Sequence, residues 1–319
     1  MAVKAWGTQP RAVDEIFFQN EAVSLCLLVN RRARTMRVVD FRAGPHPAKR
    51  LFVLSLAQRE GMSKIFTLVE RDEVQTWLKL GFAKEGNIPG FYKRSDAFLL
   101  GCSMEREAAT ATATASVLET RDADDLPGQS GMRLTVAGAA LPMSPAQARM
   151  ERTIATAKRE LVEGAVPHVK IAAASEPDTR RAVASALRSG RALTAFEPFG
   201  RDVERRYFVA SGRGGFELPL SVESQSCFSN AYVELLQSPK NPSEKLGTAG
   251  ALRALCDQLQ AEEVVSCFSL APSDDAALAW AYLQTGFRRT GLLLGHLFVR
   301  GQRKDAIVWS RKLTNAAED

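Results

Sequence analysis

Three stretches of this chain carry residue types that could do chemistry. The run Glu244-Lys-Leu-Gly-Thr-Ala-Gly250 brings small residues to the start of an apolar helix pattern. Free N–H groups at a helix start attract anions, and Gly247, Ala249 and Gly250 would let a phosphate approach the backbone. The strand pattern Ala231-Tyr-Val-Glu-Leu-Leu-Gln237 carries Glu234, which alternation sets on the face opposite Leu235. A carboxylate there can take a proton from a nucleophile. In Ala279-Trp-Ala-Tyr-Leu-Gln-Thr-Gly-Phe287, the phenol of Tyr282 can donate one. Each feature also has a structural reading: a helix start, an exposed strand glutamate, a core aromatic.

Other chemistries fit less well. The three His and five scattered Cys include no Cys-x-x-Cys pair, so no zinc site and no metal are expected. Buried structural thiols in a reducing cytoplasm are the plain expectation. Apolar runs such as Leu51 to Leu54 or Ala276 to Trp280 fall far short of a ~20-residue membrane span. Met1 to Pro10 holds one Lys and no apolar stretch, so no secretory leader is expected. The net charge of +6 lies wholly in residues 1–103, densest at Arg31, Arg32, Arg34 and Arg37. No aromatic residue interleaves those arginines, so a solvated strand face is expected and nucleic acid is not.

The elements that would position these residues alternate between strand and helix. Strands are expected at Ala22–Val29, Thr35–Phe41, Lys64–Val69, Ile88–Tyr92 and Ala97–Gly101, with helices over Ala48–Glu60 and from Asp72 to Gly81. Residues 104–147 are Ala/Thr-rich, then acidic and Gly/Pro-rich, and read as a linker. Helices follow at Pro145–Leu161 and Glu176–Arg188. The C-terminal third reads as a hairpin around Gly212-Arg-Gly-Gly215 and a strand at Ala231–Gln237. A helix at Gly247–Leu259, a strand at Glu263–Leu270, a helix at Ser273–Thr285 and two closing strands complete it.

The two ends repeat one another. Trp77-Leu-Lys-Leu-Gly81-Phe82 and Tyr282-Leu-Gln-Thr-Gly286-Phe287 share an aromatic residue, the same spacing and Gly-Phe. In both, strand, helix, strand and helix precede this motif and two strands follow. Two copies of one α/β unit account for the length and the central linker together.

The second copy resembles the GNAT acyl-CoA-dependent N-acetyltransferases, through Ala231–Gln237, Glu244–Gly250 and Ala279–Phe287. More narrowly, the chain resembles the β-lysine N-acetyltransferase family, through Lys64-Ile-Phe66, Gly81-Phe82, Ile88-Pro-Gly-Phe-Tyr92, Phe196-Glu-Pro-Phe199 and the closing Gly301–Leu313 segment with Trp309. The resemblance implies an α/β fold: two GNAT-like mixed-sheet domains in tandem, joined by a partly helical linker. The expected division is a degenerate copy in 1–103, a low-complexity linker in 104–147, a helical connector in 148–195 and the C-terminal GNAT copy in 196–319.

The resemblance also implies roles. Acetyl-CoA would be the co-substrate. Its pantetheine would pair along the strand end at Leu235, Leu236 and Gln237, and its pyrophosphate would sit at Lys245, Gly247, Thr248, Ala249 and Gly250. Tyr282 would protonate the leaving thiolate, and Glu234, with Glu223 and Glu217 as competitors, would take the proton of the amine. Glu244 stands where the family carries Arg or Gln, and Ala279 stands near a usual Asn. The first copy has Trp77 in the slot of Tyr282 and no glycine in Ala48-Lys-Arg-Leu-Phe52, so it is read as non-catalytic.

The implied function is transfer of an acetyl group to a small-molecule primary amine, with a β-lysine-like amino acid as the finer expectation. The alternative is a catalytically degenerate module that binds or assembles, with a protein partner or a second copy.

Overall fold

The computed structural model describes residues 13–92, 95–104, 143–161, 166–193, 199–225 and 228–314. Most of the expected linker lies outside them.

Among the described residues thirteen strands form one sheet. In the N-terminal half these are β1 (Asp14–Gln19), β2 (Ser24–Asn30), β3 (Thr35–Asp40), β4 (Lys64–Val69), β5 (Ala83–Ile88) and β6 (Ala97–Ser103), with helices α1 (Pro47–Arg59) and α2 (Val74–Lys79). Helices α3 (Pro145–Arg159) and α4 (Glu176–Arg188) flank β7 (Lys170–Ala174). Then come β8 (Glu204–Gly212), β9 (Phe216–Gln225), β10 (Phe228–Leu235), α5 (Pro242–Ala261), β11 (Ser266–Pro272), α6 (Ala276–Gln284), β12 (Arg288–Val299) and β13 (Gln302–Lys312).

The strand order, β1-β2-β3-β4-β6-β5-β12-β13-β11-β10-β9-β8-β7, contains one pattern twice. In the N-terminal half three antiparallel strands (β1–β3) and in the C-terminal half four (β7–β10) lead to a parallel pair, and the last strand inserts beside the second of that pair. The pairs are β3 with β4 and β10 with β11. The fold is thus mixed α/β, with two units of like topology in tandem. They share one continuous sheet, joined where β5 meets β12 at Gly86 and Gly291.

The repeat extends to packing. Trp77 meets Phe82 edge-on at 4.8 Å, and Tyr282 meets Phe287 edge-on at 5.2 Å. The glycine between takes φ +85° at Gly81 and +80° at Gly286, a left-handed helix stop that disfavours a side chain.

Alternation along the strands builds the cores. Ile65, Phe98 and Leu100 face the helices of the N-terminal half, and Ala231, Val233, Ile307 and Trp309 face those of the C-terminal half. Their neighbours Phe66, Leu99, Tyr232 and Val308 point the other way, into a third core that joins the two halves. Phe91 and Phe268 complete it at 6.0 Å.

Several expectations are corrected. Helix α5 starts at Pro242, not Gly247, because Asn241 caps it by accepting from Glu244 N at 2.8 Å and Pro242 suits the first turn. Ile88-Pro-Gly-Phe-Tyr92 is mostly turn: β5 ends at Ile88, and Gly90 has φ +64°. Strands β1 and β7 were not foreseen; both are edge strands, and β7 lies in the stretch read as helical connector. The basic strip is not simply solvated. Arg31 pairs with Asp14 and with Glu60 at 2.7 Å, Arg34 donates to Gly61 O at 2.9 Å, and Arg37 donates to Phe199 O at 2.8 Å.

Candidate functional site

Strands β10 and β11 pair in parallel only from Asn230–Ser266 to Tyr232–Phe268. Beyond that point they part, as the resemblance implies for a strand that receives an extended ligand. The edge past the split is not free, however. Leu193 N donates to Leu236 O at 3.1 Å and Ser238 N donates to Arg191 O at 2.8 Å, so Ala192 bridges Gln237 as a short antiparallel strand. Leu193 lines a cavity together with Leu235 and Leu270. The chain's own residues 191–193 thus hold backbone groups that Leu236 and its neighbours would offer to a pantetheine.

The start of α5 is likewise self-satisfied. Glu244 accepts from Lys240 N at 3.0 Å and pairs with Arg191, whose guanidinium also donates to Ser238 O at 2.9 Å. The unexpected carboxylate therefore has a purpose: it ties α5 to residues 191–193. Lys245 pairs with Glu160 and lies 4.4 Å over the Trp280 ring. Gly247, Thr248, Ala249 and Gly250 sit inside the helix and are buried. A Cβ on Gly247 would stand 2.7 Å from the Phe216 ring, and one on Gly250 would stand 2.4 Å from Pro167 O. Both glycines permit close helix packing, and Thr248 Oγ1 donates to Glu244 O.

Tyr282 is fully buried, 5.3 Å from Trp309 in a stacked pair, with its hydroxyl 2.6 Å from Ser269 Oγ. Burial pushes its pKa up. Ala279 is also buried. In the N-terminal half, Trp77 borders a cleft of about 550 Å³ between the parting ends of β3 and β4, and among the described residues its Nε1 has no hydrogen-bond partner.

The carboxylates converge where the halves meet. Glu234 is bound by Arg205 and by Ser221 Oγ at 2.8 Å. Across the β9–β10 register, Glu223 faces Tyr232 and accepts from Phe199 N at 3.0 Å and Gly200 N at 3.1 Å. Burial raises Glu223 to about 7; Arg205 and the two N–H groups oppose this, and Glu234 adds to it. Glu223 lines a small cavity with Arg37, Tyr232 and Phe268. Arg37, 5.3 Å over the Phe199 ring, also borders a cavity of about 110 Å³ with Glu234 and His296. Burial, Lys64 and Arg303 lower His296 to about 3, so its imidazole is neutral.

No protein-family model matches the chain, and no curated protein matches it. Solved structures are similar to about half of it. One is the spermidine N-acetyltransferase from Vibrio cholerae in complex with CoA and spermine, at 13% identity and a TM-score of 0.38, covering 47% of this chain and 98% of that one. Another is the ribosomal-protein-S18-alanine N-acetyltransferase from Escherichia coli, at 18% identity and 0.36, covering 47% and 97%.

The split strands, Leu235 and Glu234 are thus gathered near one junction, while Tyr282 lies behind β11 in the core. Sequence reasoning missed Arg191, Arg205 and His296. Arg191 and Arg205 lie in stretches with no motif. His296 sits in an apolar strand, and that isolation was the one usable sign of a buried imidazole. Among the described residues no group of three or more Cys, His, Asp or Glu side chains could hold a metal, and no helix is long and apolar enough to cross a membrane.

Proposed function

We propose that the chain is an acetyl-CoA-dependent N-acetyltransferase acting on a primary amine, with its chemistry in the C-terminal half. The observation that carries this reading is the parting of β10 and β11 after Tyr232–Phe268, with the near-neutral carboxylate of Glu223 facing that last pair. A carboxyl that titrates near 7 suits general-base work. It would take a proton from the ammonium, and the free amine would attack the thioester carbonyl. The C–S bond would then break and the thiolate leave. Glu234, held by Arg205, serves to raise Glu223 rather than to act as the base itself. The resemblance assigns the thiolate's proton to Tyr282, which would require the Tyr282–Ser269 pair to open toward the split. A β-lysine-like amino acid is the acceptor implied by the sequence resemblance.

A second reading, a degenerate binding or assembly module, is favoured by residues 191–193 and Glu244. They occupy the strand edge and the helix start that the co-substrate would need. Calorimetric titration with acetyl-CoA separates the two. Stoichiometric binding, with acetyl transfer to an amine panel, supports the enzyme; no binding at millimolar ligand leaves the module.

A further inference from the structure

A cavity of about 570 Å³ opens at the beginning of β11, at the opposite end of that strand from the split. That volume falls in the range of small-molecule sites. Arg288, Arg311 and Lys312 line it; the Arg311 side chain is bonded to the buried Cys256 thiol, so Arg288 and Lys312 are the cations the cavity offers. Among the described residues, none of the three pairs with a carboxylate. The one carboxylate in the wall, Asp96, is engaged: it accepts from Gly90 N at 2.9 Å and from Asn87 Nδ2 at 3.3 Å.

Hydroxyl donors line the same space. Ser266 is 5% exposed, and its Oγ accepts from Asn230 Nδ2 at 2.7 Å, so its own proton can be donated onward. Ser310 and Thr290 are 3.1 Å apart, and one donates to the other, which leaves the second proton for a ligand. Gly90 and Gly286 keep this part of the wall free of side chains. An excess of cations next to uncommitted hydroxyls fits an anion with several oxygens, and guanidinium groups pair with phosphate in a fork.

We propose that this cavity binds a small di- or triphosphate ligand. The N-terminal half supplies Gly90 and the C-terminal half supplies the cations, so the ligand would also clamp the junction. The site is separate from the strand split and does not depend on acetyl transfer.

Calorimetry of the full chain with inorganic tripolyphosphate at low salt tests it, with sulfate and a single-stranded oligonucleotide as comparisons. One-to-one binding is expected, weakened at least about tenfold by Lys312→Ala or Arg288→Ala. Both residues are exposed, so both variants should fold. Ser310→Ala, with an intact melting curve, should weaken binding as well. Absence of binding at millimolar ligand, equal affinity for sulfate, preference for the oligonucleotide, or an unchanged affinity in the Arg288→Ala/Lys312→Ala double variant would overturn the proposal.

Discussion

Gly86 and Gly291 stand opposite each other where the two halves of the sheet join, and the repeat makes them equivalents of one another. The same sequence offset relates Trp77 to Tyr282, Gly81 to Gly286 and Gly86 to Gly291. The junction therefore behaves as a two-fold contact made within one chain, each copy presenting the same residue to the other.

A side chain at this contact has nowhere to go. A Cβ on Gly291 would lie 2.6 Å from Gly86 Cα and 2.7 Å from Glu85 O, both backbone atoms. Gly291→Ala should cost about 2 kcal/mol or more. Chemical denaturation should then resolve two transitions as the halves uncouple. A single transition at the wild-type midpoint would mean that the β5–β12 contact contributes little.

Residues 191–193 should compete with co-substrate. The double variant Arg191→Ala/Glu244→Gln removes both charges of the tie without leaving either unpaired. Acetyl-CoA affinity, measured by calorimetry, should rise about tenfold. Glu244→Arg alone should not achieve this, because it would set a second guanidinium against Arg191. Unchanged affinity in the double variant would show that the bridged edge is not in the ligand's path.

Glu223 should set the pH dependence of transfer. As a base it acts when ionised, so the rate should climb as pH rises through about 7. Glu223→Gln should lower turnover by roughly 100-fold and flatten that limb of the profile. Glu234→Gln should instead move the limb to lower pH, because a neighbouring negative charge is removed.

Stability should also depend on pH through His296. Its folded pKa of about 3 lies below the ordinary value of 6.5, so the unfolded chain binds a proton that the folded chain refuses. The contribution is complete above 6.5 and is lost as pH falls toward 3, on the order of 5 kcal/mol. The stability difference between wild type and His296→Leu, read from unfolding curves, should stay constant above pH 6.5 and change between pH 6.5 and 3, with wild type losing relative stability as pH falls. A difference constant across that range would mean that His296 is protonated in place.

Tyr282→Phe separates a structural phenol from a catalytic one. Loss of the bond to Ser269 should cost about 1 kcal/mol. Turnover should change less than threefold if the hydroxyl only satisfies Ser269, and should collapse if it protonates the thiolate. The two measurements, a melting curve and a single-turnover assay, are independent.

Much of the architecture was legible in the sequence because it rests on local rules. Alternating apolar residues gave the inner strands, Pro and Ser or Asn marked helix starts, and Gly-Phe after an aromatic marked the repeat. Edge strands β1 and β7 escaped because half-exposed strands lack a continuous apolar signal. Tertiary structure alone decided what the site residues do. Gly247 and Gly250 are small for the sake of Phe216 and Pro167, Glu244 answers Arg191, and Glu234 answers Arg205. Each partner is remote in sequence, and burial and charge pairing depend on distance in space. A run of residues can therefore announce a helix start or a carboxylate, but only the folded chain determines whether its N–H groups and protons remain free for a ligand.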